Sequence, residues 1–479
     1  MKRLKFTAVL AAILLLTSIA PATYADGQRT IVDESVYDLL VDRFFNYTND
    51  NNFDVDYKDP NAFNGGDLLG VKEKLTYLND MGFTVVNLGP IFDTERYDGR
   101  LALSYDTIEE HFGTPEDLKA LVDAAHELDM KITVDIPLSR VSAQHIWTSN
   151  ENWALPNEDG TIDWNLDLPE VREALTNAVV GFISTHNLDG VRLIATDGID
   201  TEFLNDLIGA IKDAEPSAYV MGDGDTGANF DLAMYDQTEE ILRELFVAFD
   251  QPSSQLSDLP VSNENTAAIY VDTPFDSRFT YDIVSERMFP PTRWNLIMTT
   301  FLTLPGTPVI QYGTEIAVNG EKAPESHPIL SFKSDDELIK HIADLNYLRN
   351  ESEALRSGKY ELLKNEDGMM VYKRWNDEET WIIAVNNTSE THVVELDDTV
   401  IGESDSILRG LLDGDIVRPV DYKFNITMDR ETAEVFIVNE DRGINKGYIL
   451  ALILVWILFI GFLTLVWRQG KKRKEESSK

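Results

Sequence analysis

From Val36 to about Gln311, short apolar runs alternate with stretches in which apolar residues recur every three or four positions. The short runs are "VYDLLVDRF", "FTVVNLGPI", "KITVDIPL", "GVRLIA", "AYVMGD", "FDLAMY", "AAIYVD" and "GTPVIQY". Each reads as a strand buried on both faces, and the stretches between them read as helices wrapping a parallel sheet. In "GTPEDLKALVDAAHEL", Thr114 is an N-cap, Pro115 takes the first helical position, and Leu118, Leu121, Val122, Ala125 and Leu128 share a face. "PEVREALTNAVVGFI" repeats the design with Val171, Leu175, Ala178, Val179 and Phe182. Eight strand–helix units predict a closed (β/α)8 (TIM) barrel of the α/β class over residues 26–357, with a short insertion at 141–167.

Beyond "ELIKHIADLNYLRN" the period falls to two, in "MMVYKRW", "TWIIAVNN", "HVVELD" and "AEVFIVNE". This predicts a C-terminal antiparallel β-sandwich domain over 358–446. Residues 447–467 are then uncharged and apolar for long enough to cross a bilayer, which predicts one transmembrane helix. The tail at 468–479, "RQGKKRKEESSK", is basic next to the span, so the tail is expected in the cytoplasm and the ectodomain outside a cell membrane. At the other end, a basic start, an apolar run and small residues near Ala22 and Ala25 give residues 1–25 the pattern of a secretory signal.

Composition narrows the chemistry. The chain has 479 residues, 43% of them hydrophobic, enough for a large core and a smaller one. It has no cysteine, which removes disulfides, thiol catalysis and cysteine-based zinc sites. A formal charge of −42 repels nucleic acid, so no nucleic-acid partner is expected.

The stretches "LLVDRFFN", "GGDLLGVKEKLTYLNDMGFTVVNLGPIF", "HFGTPEDLKALVDAAHELDMKITVDI", "DGVRLIA", "LTLPGTPVIQYGTEI" and "LRNESEALRSGKYELL" stand in one order. In that order they resemble the α-amylase family of glycoside hydrolases over nearly the whole predicted ectodomain. The resemblance implies retaining hydrolysis or transfer at α-glucosidic bonds. It also implies an aspartate nucleophile, a glutamate proton donor and a second aspartate at the carboxyl ends of barrel strands.

Position by position the match is uneven. Asp135 and Arg192 match the family, but Ser139 and Arg140 stand where an asparagine and a histidine follow Asp135. The nucleophile position falls on Ile194, the proton-donor position on Asp223, one methylene shorter, and the second aspartate on Phe275. Arg100 replaces a tyrosine that stacks under the cleaved sugar, while Tyr105 remains at the end of that loop. The expectation that follows is a catalytically inactive pseudo-hydrolase, with no intact catalytic set, that binds α-glucan or serves as the ectodomain of a membrane complex with a membrane-protein partner. The alternative is an active retaining α-glucosidic hydrolase or transferase using a rearranged site. Asp135, Arg192, Tyr105 and Trp153 are the candidate sugar contacts. Asp135 and Arg192 can equally brace the strand ends as a buried ion pair, and Phe275 is expected to fill space that a sugar would occupy. Related proteins bind calcium through an early loop, and Asn46, Asn51, Asn52, Gly65 and Asp67 are the matching positions, although Thr48 and Asn52 replace carboxylates.

Overall fold

The computed structural model describes residues 29–259, 267–334, 336–366, 368–401, 406–441 and 446–476. The predicted secretory signal lies outside these residues. Contacts divide the chain into one unit made of Met1–His392 with Met428–Val435 and a second made of Val393–Thr427 with Phe436–Lys479.

The first unit contains eight parallel strands: β1 (Val36–Asp38), β2 (Val85–Asn87), β3 (Lys131–Pro137), β4 (Gly190–Ile194), β5 (Tyr219–Gly222), β6 (Leu232–Ala233), β7 (Ala268–Ile269) and β8 (Thr307–Gln311). They hydrogen-bond in the order β7-β8-β1-β2-β3-β4-β5-β6, and a parallel bridge between Ala233 and Ala267 closes the ring. This is the predicted (β/α)8 barrel.

Its strands are shorter than the apolar runs suggest. β1 ends at Asp38 because its ladder partners, Asn87 on β2 and Gln311 on β8, are the last paired residues of their own strands. The rest of that run turns into a four-residue helix, Val41–Phe44, with all four side chains buried. One end of the barrel is filled by Val36, Val85, Met221, Leu232, Ala268, Tyr270 and Val309. The predicted cap at Thr114 is present: its side chain and that of Asp117 exchange hydrogen bonds with each other's backbone N–H at the start of helix α1 (Pro115–His126). Helix α2 (Pro169–His186) likewise starts on a proline and ends at Asn187 in a left-handed conformation.

After β3 the chain makes an excursion of three short antiparallel strands, with Thr161–Trp164 between Val141–Ser142 and Ala154–Pro156. Later in the same unit, Lys359–Glu366, Met369–Trp375 and Thr380–Asn386 form consecutive antiparallel pairs. In the second unit, Ser406–Gly410 pairs antiparallel with Ile416–Val417 and with the end of Thr432–Glu440. A helix, Lys446–Glu476, follows. Within it Leu450–Arg468 has a mean hydropathy of 2.7 and none of it is buried.

Candidate active site

Polar residues at the carboxyl ends of β1 to β4 build the floor of the barrel mouth. Arg192 donates from Nε and Nη2 to the two oxygens of Asp135 at 2.8 and 2.7 Å, and from Nη1 and Nη2 to Asp38 at 2.8 and 3.1 Å. Asn87 donates to both carboxylates, at 2.9 Å to Asp38 and 2.8 Å to Asp135, and accepts from the Thr133 hydroxyl at 2.9 Å. The register explains the set, because Asp135 lies directly opposite Arg192 and Asp38 directly opposite Asn87. All five residues are buried. Burial raises the proton affinity of the Asp135 carboxyl, and Arg192 opposes that shift. Burial alone would lower the Arg192 pKa, but Asp135 and Asp38 outweigh it and hold the guanidinium protonated. Asp135 and Arg192 therefore brace the strands, with only a narrow slot of about 10 Å³ above them. Sequence reasoning missed Asp38 and Asn87; the available signal was a polar residue closing each of two barrel strands.

The three altered positions form the rim. Ile194 closes β4 with 2% of its surface exposed, and its backbone carbonyl accepts from Leu138 at 2.9 Å. Asp223 follows β5. Its carboxylate accepts from the Ala195 N–H at 2.6 Å, the Thr196 N–H at 3.3 Å and the Thr196 hydroxyl at 2.6 Å. Gly222 before it leaves room for Phe230, whose ring would sit 2.3 Å from any Cβ placed there. Phe275 is 40% exposed, and the Arg100 guanidinium lies over its ring at 3.9 Å. Arg100 and Phe275 are stacked at the edge of the mouth, which is not sealed. A cleft of about 230 Å³ opens beside them, lined by Arg96, Arg100, Ser139, Arg140 and Ile194 among others.

Tyr105 does not face the cleft. It is 2% exposed, its hydroxyl donates to the Pro137 carbonyl at 2.6 Å, and it accepts from Trp164 Nε1 at 3.0 Å. The expectation that Tyr105 contacts sugar is corrected by that burial: its hydroxyl is already engaged both as donor and as acceptor. Around it cluster His145, Trp147 and Trp164, and Trp153 meets Trp147 edge-on at 5.9 Å. Trp153 itself is half-buried.

The five calcium candidates are held largely by the chain's own hydrogen bonds. Asp67, the one carboxylate among them, caps the helix Leu68–Glu73 by accepting from Gly70 at 2.6 Å, and it also accepts from the backbone of Tyr47 and Thr48 at 2.9 and 3.0 Å. Asn46 donates to Asn52 Oδ1 at 3.1 Å, directly over Gly65, where a Cβ would lie 2.5 Å from the Asn46 amide. Asn51 donates to the His111 carbonyl at 2.6 Å, and its Oδ1 is left as a lone buried oxygen. Calcium takes about six to eight oxygen ligands. Among the described residues, no three His, Asp or Glu side chains gather as a metal site.

Comparison with known proteins gives the family. The model of the α-amylase catalytic domain matches residues 21–164, and that of the α-amylase C-terminal domain matches residues 358–436. A β/α-amylase of Paenibacillus polymyxa is 25% identical over 458 residues, covering 84% of this chain and 38% of its own length. A cyclomaltodextrinase of Geobacillus thermopakistaniensis is 27% identical over 380 residues, covering 69% of this chain and 64% of its own length. The chain thus spans less than two thirds of either curated relative. The crystal structure of an Anoxybacillus α-amylase superposes with a TM-score of 0.83 at 32% identity, over 87% of this chain and all of that one. These names correct the expectation of an inactive pseudo-hydrolase: the proteins that the chain resembles over most of its length are enzymes, and the enzyme reading is the one they favour. The chain belongs to the α-amylase family of glycoside hydrolases.

Proposed function

We propose that the chain hydrolyses α-glucosidic bonds at the mouth of its barrel, using a rearranged set of polar groups. The observation that carries the reading is the match at 32% identity to an α-amylase over the whole length of that enzyme. Maltooligosaccharides and cyclomaltodextrins are the substrate class that the relatives' names suggest. Ile194 has no nucleophilic atom, so no glycosyl ester forms at the end of β4, and the attack falls to water. Asp223, at the end of β5, is the carboxylate we assign as base. It takes a proton from water as the water oxygen bonds to the anomeric carbon; the glycosidic C–O bond breaks, and the leaving oxygen is protonated from solvent. A single displacement of this kind inverts the anomeric centre.

The test is incubation of the full-length protein in detergent with maltoheptaose and a cyclomaltodextrin. Shorter sugars are expected, with the first-formed anomer inverted by NMR, and Asp223→Asn should slow their release about 100-fold or more. No product from the wild type, or equal release by the variant, overturns the proposal.

We also propose that Leu450–Arg468 anchors the chain in a membrane with the barrel outside. Support comes from its mean hydropathy of 2.7 and from the basic residues that follow it. The full-length protein should resist alkaline extraction from vesicles, and its release by carbonate would exclude a spanning helix.

A further inference from the structure

The cleft beside Phe275 has a charge unlike that of the chain around it. The whole sequence carries 83 acidic residues against 41 Lys and Arg, a ratio of about two to one. The lining of the 230 Å³ cleft reverses this, with Arg96, Arg100 and Arg140 against Asp159. Leu101, Pro137, Ile194 and Ala195 add an apolar surface that suits the carbon face of a sugar ring, beside the hydroxyls of Ser139 and Thr161.

The three guanidinium groups differ in how far they are engaged. Arg96 donates to Asp98 at 2.7 Å, with about half of its side chain (49%) exposed. Arg140 pairs with Asp159, and both partners are open to solvent, at 58% and 45%. Exposed pairs of this kind contribute about 0–1 kcal/mol, so an incoming anion displaces Asp159 at little cost. Arg100 has no carboxylate in ion-pair contact among the described residues, although Asp98, Asp223 and Asp135 act on its charge from farther off; its guanidinium lies over the Phe275 ring. The backbone is committed to this arrangement as well. Arg140 sits at φ 55, in the left-handed region, where its N–H donates to Asp163 at 2.9 Å. That turn delivers the Arg140 side chain to the cleft.

We infer that this cleft binds a saccharide carrying an anionic group, a phosphate or a carboxylate, with the anion held by Arg100 and Arg140 and the sugar ring against Ile194. The planar guanidinium fork matches both oxyanions, whereas a neutral glucan offers it hydroxyls alone. The inference rests on the reading of the barrel mouth as an α-glucoside site and adds the class of substituent that the glucoside bears. At about 230 Å³ the cleft is smaller than the roughly 300–1,000 Å³ of pockets for drug-sized ligands, so it receives one end of a ligand.

Titration calorimetry on the full-length protein in detergent tests this, with maltose, a maltose phosphate, a glucuronic acid-terminated disaccharide and inorganic phosphate. At least one anionic sugar should bind about tenfold tighter than maltose and tighter than inorganic phosphate. The sugar that shows the preference identifies the oxyanion. Arg100→Gln and Arg140→Gln, each melting within a degree or two of wild type, should remove most of the preference. Equal affinity for maltose and both anionic sugars, no saccharide binding, or a preference that survives in the double variant overturns the inference. Because binding is read rather than turnover, maltose bound as tightly as the anionic sugars leaves the hydrolytic proposal standing, and a preference retained without turnover removes hydrolysis alone.

Discussion

Asp223 holds Ala195: the carboxylate that follows β5 accepts the N–H of the first residue after β4 at 2.6 Å, while Ala195 sits at φ 55. A left-handed alanine needs an external hold, and the Thr196 hydroxyl adds a second donor to the same carboxylate at 2.6 Å. Asp223→Ala is therefore expected to cost about 1–3 kcal/mol and to speed hydrogen exchange at Ala195 and Thr196 selectively. Unchanged exchange at both amides would show that the turn is held by other contacts.

Arg192 neutralises two buried carboxylates at once, so its removal is more severe than the loss of an ordinary ion pair. Arg192→Met should destabilise the protein by about 3–5 kcal/mol in thermal or urea unfolding, because Asp38 and Asp135 are left facing each other in a dry interior. Adding Asp38→Asn to that variant should return part of the loss. A doubly substituted protein less stable than Arg192→Met would contradict the electrostatic cause.

His145 gives the excursion after β3 an acid sensitivity. It is fully buried among Tyr105, Trp147 and Trp164, and burial lowers its pKa from 6.5 to about 4. The unfolded chain thus takes up the proton first as pH falls. The stability from a neutral His145 is fully present above pH 6.5 and is lost progressively as pH drops toward 4. Tryptophan fluorescence should report loosening of the excursion over that window, and His145→Phe should flatten the response relative to wild type.

Tyr105→Phe keeps the ring but deprives Trp164 Nε1 of its acceptor. The expected cost is about 1–3 kcal/mol, with Trp164 emission shifted as its environment relaxes. A variant as stable as wild type would mean that water replaces the hydroxyl.

How far the sequence carried the fold is clear in particular elements. Met369–Trp375 and His392–Asp397 match their apolar runs residue for residue, since edge and hairpin strands show their pattern directly. The barrel strands are harder to bound: buried runs continue past the ladder, as Leu39 to Phe44 do after β1, and burial alone does not distinguish strand from helix. At the site, Asp135 and Arg192 were legible from the family pattern, and Ile194, Asp223 and Phe275 as departures from it. That Asp38 completes the floor, that Tyr105 faces inward, and that Arg100 lies on Phe275 depend on strand order and loop path, which join residues far apart in the chain.

The hydroxyl of Tyr105, from the loop after β2, fastens that loop to the unit of β3 at two points, the Pro137 carbonyl and the indole of Trp164. One wall of the cleft is therefore tied to the barrel as a single panel. Opening it breaks both bonds together, so the panel should exchange its amides in one cooperative step. A ligand arriving there meets a surface whose shape is already set, and little ordering entropy stands between encounter and a fitted complex.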